Sequence, residues 1–243
     1  MDDITLLFGD CLVRMGDLQD GSVDAIITDL PYGTTQCKWD AVIPFDKLWE
    51  KVFRVLKSNG VFITTASQPF SSFLIASNPA LFCHEWIWIK NKGSNFANTV
   101  REPFKEHESV LVFSKGKWTY NKQMQERTGG GADRAKYGVE FNSQEREGTR
   151  KFEGRKKHRI SELRVPSSWQ KFNTETGKHP TQKPVALYEY LVKTYTNEFD
   201  TVLDPCMGSG TTLIACQNTN RKGIGIEKDE KIYNIAVERV ILQ

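Results

Sequence analysis

The sequence predicts an α/β fold: a doubly wound, mostly parallel sheet of seven strands, interrupted by one basic insertion. Three observations carry this reading. Seven short β-type runs occur at residues 4–8, 23–28, 61–65, 86–90, 110–114, 201–203 and 223–227. Several are uniformly apolar, as strands covered on both faces are. Segments with helical spacing separate many of them, and that alternation favours a layered α/β architecture.

In chain order, the run at 4–8 ends on Gly9-Asp10, and the run at 23–28 leads into Asp29-Leu30-Pro31-Tyr32-Gly33. Residues 45–56 place Phe45, Leu48, Trp49, Val52 and Leu56 at helical spacing, with a stop expected near Asn59-Gly60. Trp86 and Trp88 lie on the fourth run and are expected in the core. A helix over 184–195 begins with Pro184 in its first turn and continues through Val185, Leu187, Tyr188, Leu191 and Val192. Residues 211–218 and 230–242 read as helices too. The stretch from 115 to 178 lacks sustained periodicity and contains Gly129-Gly130-Gly131, so it reads as an insertion with a function of its own.

Bulk properties narrow the class. At 243 residues and 27.8 kDa the chain holds one sizeable domain with room for a lobe. No apolar run approaches the roughly 20 residues of a membrane helix. Met1-Asp2-Asp3 is acidic and no signal-type core follows it, so a cytoplasmic protein is expected. Cys11, Cys37, Cys83, Cys206 and Cys216 show no CxxC spacing and read as reduced thiols, and the four histidines are scattered, so no metal site is expected. The net charge of +3 divides unevenly. Residues 115–178 carry 16 Lys and Arg against 8 Asp and Glu, while the rest of the chain carries 17 against 22. A basic block on a mildly acidic body suits either a polyanion or solvent alone.

Two loops carry the chemistry. Asp29 and a backbone carbonyl beside it can accept hydrogen bonds from an exocyclic amine, while Tyr32 offers a ring on which a planar base can stack. The strand at 201–203 runs into Asp204-Pro205-Cys206-Met207-Gly208-Ser209-Gly210-Thr211-Thr212, an acid-led glycine turn opening a helix. It departs from the dinucleotide fingerprint Gly-x-Gly-x-x-Gly and lacks the Gly-Lys-Ser/Thr of a phosphate loop. Asp204 would repel a pyrophosphate but suits the amino group of a methionine moiety, and Glu227, ending the next strand, suits ribose hydroxyls. Acids at both places favour S-adenosylmethionine. Open sheets bind ligands where strand order reverses, so the strands before Asp29 and Asp204 are expected to be central neighbours. Pro205-Cys206 invites a cytosine-C5 reading, but a thiol inside the cofactor turn cannot also attack a base.

With these motifs in place, the chain resembles the amino-methylating DNA methyltransferases of the permuted beta group, in which the catalytic motif precedes the cofactor motif. Asp29-Leu30-Pro31-Tyr32 is similar to the Asp-Pro-Pro-Tyr motif, with Leu30 replacing the first proline. Asp204 to Gly210 is similar to the cofactor loop, and His179-Pro180-Thr181-Gln182-Lys183-Pro184 to the segment before the helix that precedes it. Gly9-Asp10 matches the acidic position near the cofactor's adenine, and Glu106-His107-Glu108 the approach to the late sheet strand. The resemblance covers most of the chain outside the insertion and implies a Rossmann-like methyltransferase fold. It divides the chain into a catalytic half (1–114), a target-recognition insertion (115–178) and a cofactor half (179–243).

The resemblance further implies methyl transfer from S-adenosylmethionine to adenine N6, with N4-cytosine methylation or an inactive DNA-binding relative as alternatives. The catalytic residues would be Asp29, Leu30, Pro31 and Tyr32. The cofactor would meet Asp10, Thr181, Lys183, Asp204, Cys206, Gly208, Ser209, Gly210, Thr211 and Glu227, with Thr181 and Lys183 near its methionine carboxylate. Arg155, Lys156 and Lys157 are candidates for phosphate contacts on double-stranded DNA. Trp118, Tyr120 and Trp169 are stacking candidates for the opened duplex, though core packing is the favoured role for any single one of them. A homodimer and a cognate restriction endonuclease are further partners in such systems, which work in the bacterial nucleoid or, for phage enzymes, in host cytoplasm.

Overall fold

The computed structural model describes residues 3–33, 40–128, 132, 161–175 and 182–241. In chain order these form β1 (Ile4–Phe8), α1 (Cys11–Arg14), β2 (Val23–Asp29), α2 (Phe45–Val55), β3 (Leu56–Ala66), α3 (Phe70–Ser77), β4 (Phe82–Ile89) and β5 (His107–Ser114). There follow β6 (Gln125–Glu126), β7 (Leu163–Arg164), β8 (Trp169–Lys171), α4 (Val185–Tyr195), β9 (Thr201–Asp204), α5 (Thr211–Asn218), β10 (Lys222–Glu227) and α6 (Glu230–Ile241). Among the described residues no helix is long and apolar enough to cross a membrane.

Eight strands form one sheet in the order β1-β10-β9-β2-β3-β5-β4-β8. The run from β1 to β3 is parallel, and β5 is antiparallel to both β3 and β4. All seven expected strands are present, and β8 adds an eighth at the edge, parallel to β4 through Ile87↔Trp169. The chain divides into two compact units, 1–121 with 168–243, and 122–167; the second contains the antiparallel pair β6-β7. Part of the expected insertion, residues 169–171, therefore pairs into the main sheet.

Alternation along the central strands builds two cores. Ile26, Phe62 and Leu203 face one, packed on Leu48, Trp49, Val52 and Val55 of α2 and Phe70 and Leu74 of α3. Ala25, Ile27, Val61, Ile63 and Val202 face the other, against Leu187, Tyr188, Leu191 and Val192 of α4 and Ala215 and Cys216 of α5. Trp86 and Trp88 are buried in this second core, as expected. Each large apolar side chain so buried contributes about 1.5–3 kcal/mol.

One expected boundary fails, and one helix was not foreseen. Asn59-Gly60 does not cap a helix: α2 ends at Val55, and β3 begins at once on Leu56. Val23 pairs with Leu56 but Ala25 with Val61, so residues 57–60 form a bulge in which Gly60 lies close to the Asp24 carbonyl. The helix α3 had no counterpart in the sequence reading. Its residues, Phe-Ser-Ser-Phe-Leu-Ile-Ala-Ser, are too short and too evenly apolar to show a helical stripe.

Candidate active site

Four acids stand at or just beyond the C-terminal ends of parallel strands, on one rim of the sheet: Asp10 after β1, Asp29 on β2, Asp204 on β9 and Glu227 on β10. β9 and β2 are direct neighbours through Ala25↔Val202 and Ile26↔Leu203. Strand connections diverge on either side of that pair, which is where such sheets form a crevice. A cleft opens there, enclosing about 1150 Å³ including its mouth. It is lined by Asp29, Leu30, Pro31 and Tyr32 from one side and by Asp204, Cys206, Gly208, Ser209 and Thr211 from the other, with Asp10, Lys183 and Glu227. Of the other expected site residues, Gly210 lies in the same turn. Thr181, Arg155, Lys156 and Lys157 lie outside the described residues.

The two loops are joined directly. Thr28 Oγ1, one residue before Asp29, donates to Asp204 Oδ1 at 2.6 Å. The same oxygen accepts from the Cys206 amide at 3.0 Å, and Asp204 Oδ2 accepts from Thr212. Asp204 is buried, and burial, which outweighs these bonds, lifts its pKa to about 6. Its carboxylate thus builds the turn from within. Gly208 and Gly210 both hold left-handed backbone, and nothing would lie within 4 Å of a side chain placed at Gly208, so a ligand can approach the backbone there. Glu227 accepts from the Gly208 amide at 3.1 Å and the Asp229 amide at 2.9 Å, and burial raises its pKa. Asp10 caps α1, accepting from Leu12 N at 2.9 Å.

Asp29 is the centre of the opposite side. Its Oδ1 accepts from Tyr32 Oη at 2.7 Å and from Thr65 Oγ1, which is its register partner on β3. Its Oδ2 pairs with Lys183 Nζ at 2.7 Å. Phe70 backs the Tyr32 ring in a stacked arrangement, with centroids 5.1 Å apart. Leu30 is buried among core residues. Packing therefore fixes the backbone at the position where the Asp-Pro-Pro-Tyr motif carries its first proline.

Behind Lys183 stands a pair that sequence reasoning assigned no role. Glu108 Oε2 lies 3.5 Å from Lys183 Nζ, and Glu108 Oε1 lies 2.9 Å from Lys90 Nζ. Burial alone would raise the Glu108 pKa, but the two lysines bring it below the ordinary value; Asp29 and Glu108 likewise raise Lys183 against the opposing effect of burial. The only signal for Glu108 in the sequence was its place at the start of a strand.

The chain is similar in sequence and fold to known proteins. A family model described as DNA methylase, of the N6/N4 methyltransferase type, covers residues 23–238. The chain belongs to this DNA methylase family. Type II methyltransferase M.HpaI of Haemophilus parainfluenzae is 28% identical over 98% of this chain and 74% of its own length. Type II methyltransferase M1.MboII of Moraxella bovis is 29% identical over 93% and 92%. The crystal structure of the M1.HpyAVI-SAM complex superposes with a TM-score of 0.66 at 28% identity, covering 97% of this chain and 99% of that one.

This DNA methylase is thus an S-adenosylmethionine-dependent, amino-methylating enzyme with the Rossmann-like fold. The cleft suits that cofactor. The open face of Gly208 admits a ligand against the backbone, Glu227 keeps acceptor capacity beyond its two amide bonds, and Ile226 and Ile232 supply apolar lining.

Proposed function

We propose that this DNA methylase acts on the N6 amino group of adenine, rotated out of duplex DNA into the cleft. The observation that carries the reading is the joining of the Asp29–Tyr32 segment to the Gly208 turn within one crevice, tied by the Thr28–Asp204 hydrogen bond. Adenine is preferred over cytosine because the catalytic tetrapeptide begins with Asp29, where cytosine-N4 relatives often carry serine.

The amino group of adenine is a poor nucleophile, since its lone pair is delocalised into the ring. Asp29 and the Leu30 carbonyl accept its two hydrogens and draw the nitrogen toward tetrahedral geometry. Tyr32, backed on one ring face by Phe70, presents the other to the extruded base. S-adenosylmethionine, when bound, supplies an electrophilic methyl group. Asp204, Cys206, Gly208, Ser209, Gly210 and Thr211 shape its seat, with Glu227 at the ribose, Asp10 near the adenine ring, and Thr181 and Lys183 toward the carboxylate. The protein's contribution is alignment and support for positive charge growing on nitrogen. Arg155, Lys156 and Lys157 hold phosphates of the duplex, and a homodimer or a partner endonuclease fits the same reading.

The test is incubation of the protein with unmethylated genomic DNA and S-adenosylmethionine, then digestion to nucleosides and mass spectrometry. N6-methyladenine is expected; N4-methylcytosine, or no methylated base at all, overturns the assignment. Asp29→Ala is expected to lower turnover by at least about 100-fold while leaving cofactor affinity nearly unchanged. Undiminished turnover in that variant removes Asp29 from the mechanism.

A further inference from the structure

We propose that Glu108 is a positioning residue: it draws Lys183 away from Asp29 when the target base arrives, leaving Asp29 free to accept the amino group. The inference rests on the reading of Asp29 given above.

Four charges of alternating sign run inward from the cleft: Asp29, Lys183, Glu108 and Lys90. Their separations are 2.7, 3.5 and 2.9 Å. The side chains of Lys183, Glu108 and Lys90 are 12%, 14% and 4% exposed, so the line is sheltered from water beyond its first member. Buried charges are costly to keep unless each is paired, which makes such a chain an expensive way to fill space. A function for it is found at its outer end.

Asp29 already holds three partners, which leaves acceptor capacity on Oδ2 alone, beside an ammonium ion. Oδ1 holds Tyr32 and Thr65, and Oδ2 holds Lys183. An incoming amino group must bond to a carboxylate whose free side already faces an ammonium ion. That cation, 2.7 Å from Oδ2, also opposes positive charge developing on the nitrogen. Lys183 therefore has to give ground during the reaction, and its charge needs another partner close by.

Glu108 meets that need. Its Oε2 is buried and accepts no hydrogen bond, although it lies only 3.5 Å from Lys183 Nζ. A shift of less than about 1 Å brings the ammonium into full hydrogen-bonding range of that oxygen. Lys90 meanwhile stays on Oε1, so Glu108 is held in place by one lysine while it receives the other. The exchange leaves both lysines paired with Glu108, while Asp29 keeps its hydrogen bonds to Tyr32 and Thr65. The amino nitrogen then forms its bond to the methyl carbon as the carbon–sulfur bond breaks with its electrons going to sulfur. The proton shed by nitrogen passes to Asp29, now relieved of the ammonium, and from there to water.

The test measures kcat, KM for unmethylated genomic DNA and Kd for S-adenosylmethionine in the wild type, Glu108→Gln, Lys183→Met and the double variant, at saturating cofactor. Glu108→Gln leaves Lys183 on Asp29, so kcat is expected to fall by at least about 10-fold with KM and Kd within about twofold. In the Lys183→Met background the same Glu108 change is expected to have little further effect, because the cation it manages is gone. Equal losses in both backgrounds would mean a merely structural Glu108, and wild-type kcat in Glu108→Gln would mean no role; either overturns the proposal. If Glu108→Gln does not fold, Glu108→Asp retains the charge and withdraws it by one methylene. Reduced kcat at unchanged KM then supports the exchange, and unchanged kcat overturns it. A wild-type protein that methylates no DNA fails the proposed function instead, and this inference with it.

Discussion

Gly210 has φ 81°, and a methyl group added there would meet Val240 Cγ2 at 2.6 Å. Gly208, two residues earlier, has φ 51° but no atom within 4 Å of such a methyl. The two glycines of one turn are thus needed for different reasons. Gly210→Ala combines left-handed strain with a clash against α6, and is expected to cost at least roughly 1–3 kcal/mol, read as a lowered Tm without cofactor. Gly208→Ala carries only the strain and should be milder in the same measurement. It should instead weaken S-adenosylmethionine binding, measured by calorimetry, because it fills the surface a ligand would use. Equal effects of the two substitutions on stability would contradict this division. At this scale the sequence was legible where a motif is contiguous: Asp29 to Tyr32 and Asp204 to Thr211 sit together in the chain and in the cleft. Thr65, Phe70 and Glu108 were not, because they reach Asp29 and its partners through sheet register and helix packing.

Among the elements, the strands were readable because parallel strands buried on both faces must be short apolar runs, and β2 and β9 are of that kind. The bulge at 57–60 was not, since only pairing with β2 shows that Asn59-Gly60 interrupts a strand instead of ending a helix. The β9–α5 junction carries a consequence for stability. Asp204 is raised from 3.8 to about 6 by burial, and Glu227 is raised in the same direction. Between these values the folded chain binds more protons than the unfolded one, so stability falls as pH rises through the window from about 4 to 6. Glu108, lowered by its lysines, acts the other way, but only below its ordinary value of 4.5. From pH 7 to pH 5 the raised acids dominate among these carboxylates. His84, lowered from 6.5 by burial, opposes them in the same interval, so the Asp204 contribution is read against Asp204→Asn. Without cofactor, denaturant unfolding is expected to show a gain on the order of 1 kcal/mol from pH 7 to 5 in the wild type relative to that variant. A stability flat or falling from pH 7 to 5, with no difference between the two proteins, would place Asp204 in a more hydrated setting.

For the whole molecule, strand order turns two distant loops into one site. Some 175 positions separate Asp29 from Asp204, yet β2 and β9 are neighbours and the Thr28–Asp204 hydrogen bond joins their ends. That adjacency was foreseeable from the rule that open sheets bind ligands where strand order reverses, whereas the eighth strand and its pairing with β4 were not, since three residues leave no periodic trace. The same scale governs the uneven charge. The surplus of positive charge between 115 and 178 stands against a deficit elsewhere, so a polyanion should be held by one part of the chain and not by its general charge. Each phosphate neutralised releases condensed counterions, which makes log K fall with log salt by about 0.9 per contact. Affinity for a duplex is therefore expected to drop steeply between about 50 and 200 mM salt. Replacing Arg155, Lys156 and Lys157 together by glutamine should flatten that slope by up to about 3, equally for every sequence tested, while cofactor affinity stays unchanged. Fluorescence anisotropy across a salt series measures this. A triple variant with the wild-type slope would move the phosphate contacts to the other lysines and arginines of the basic stretch.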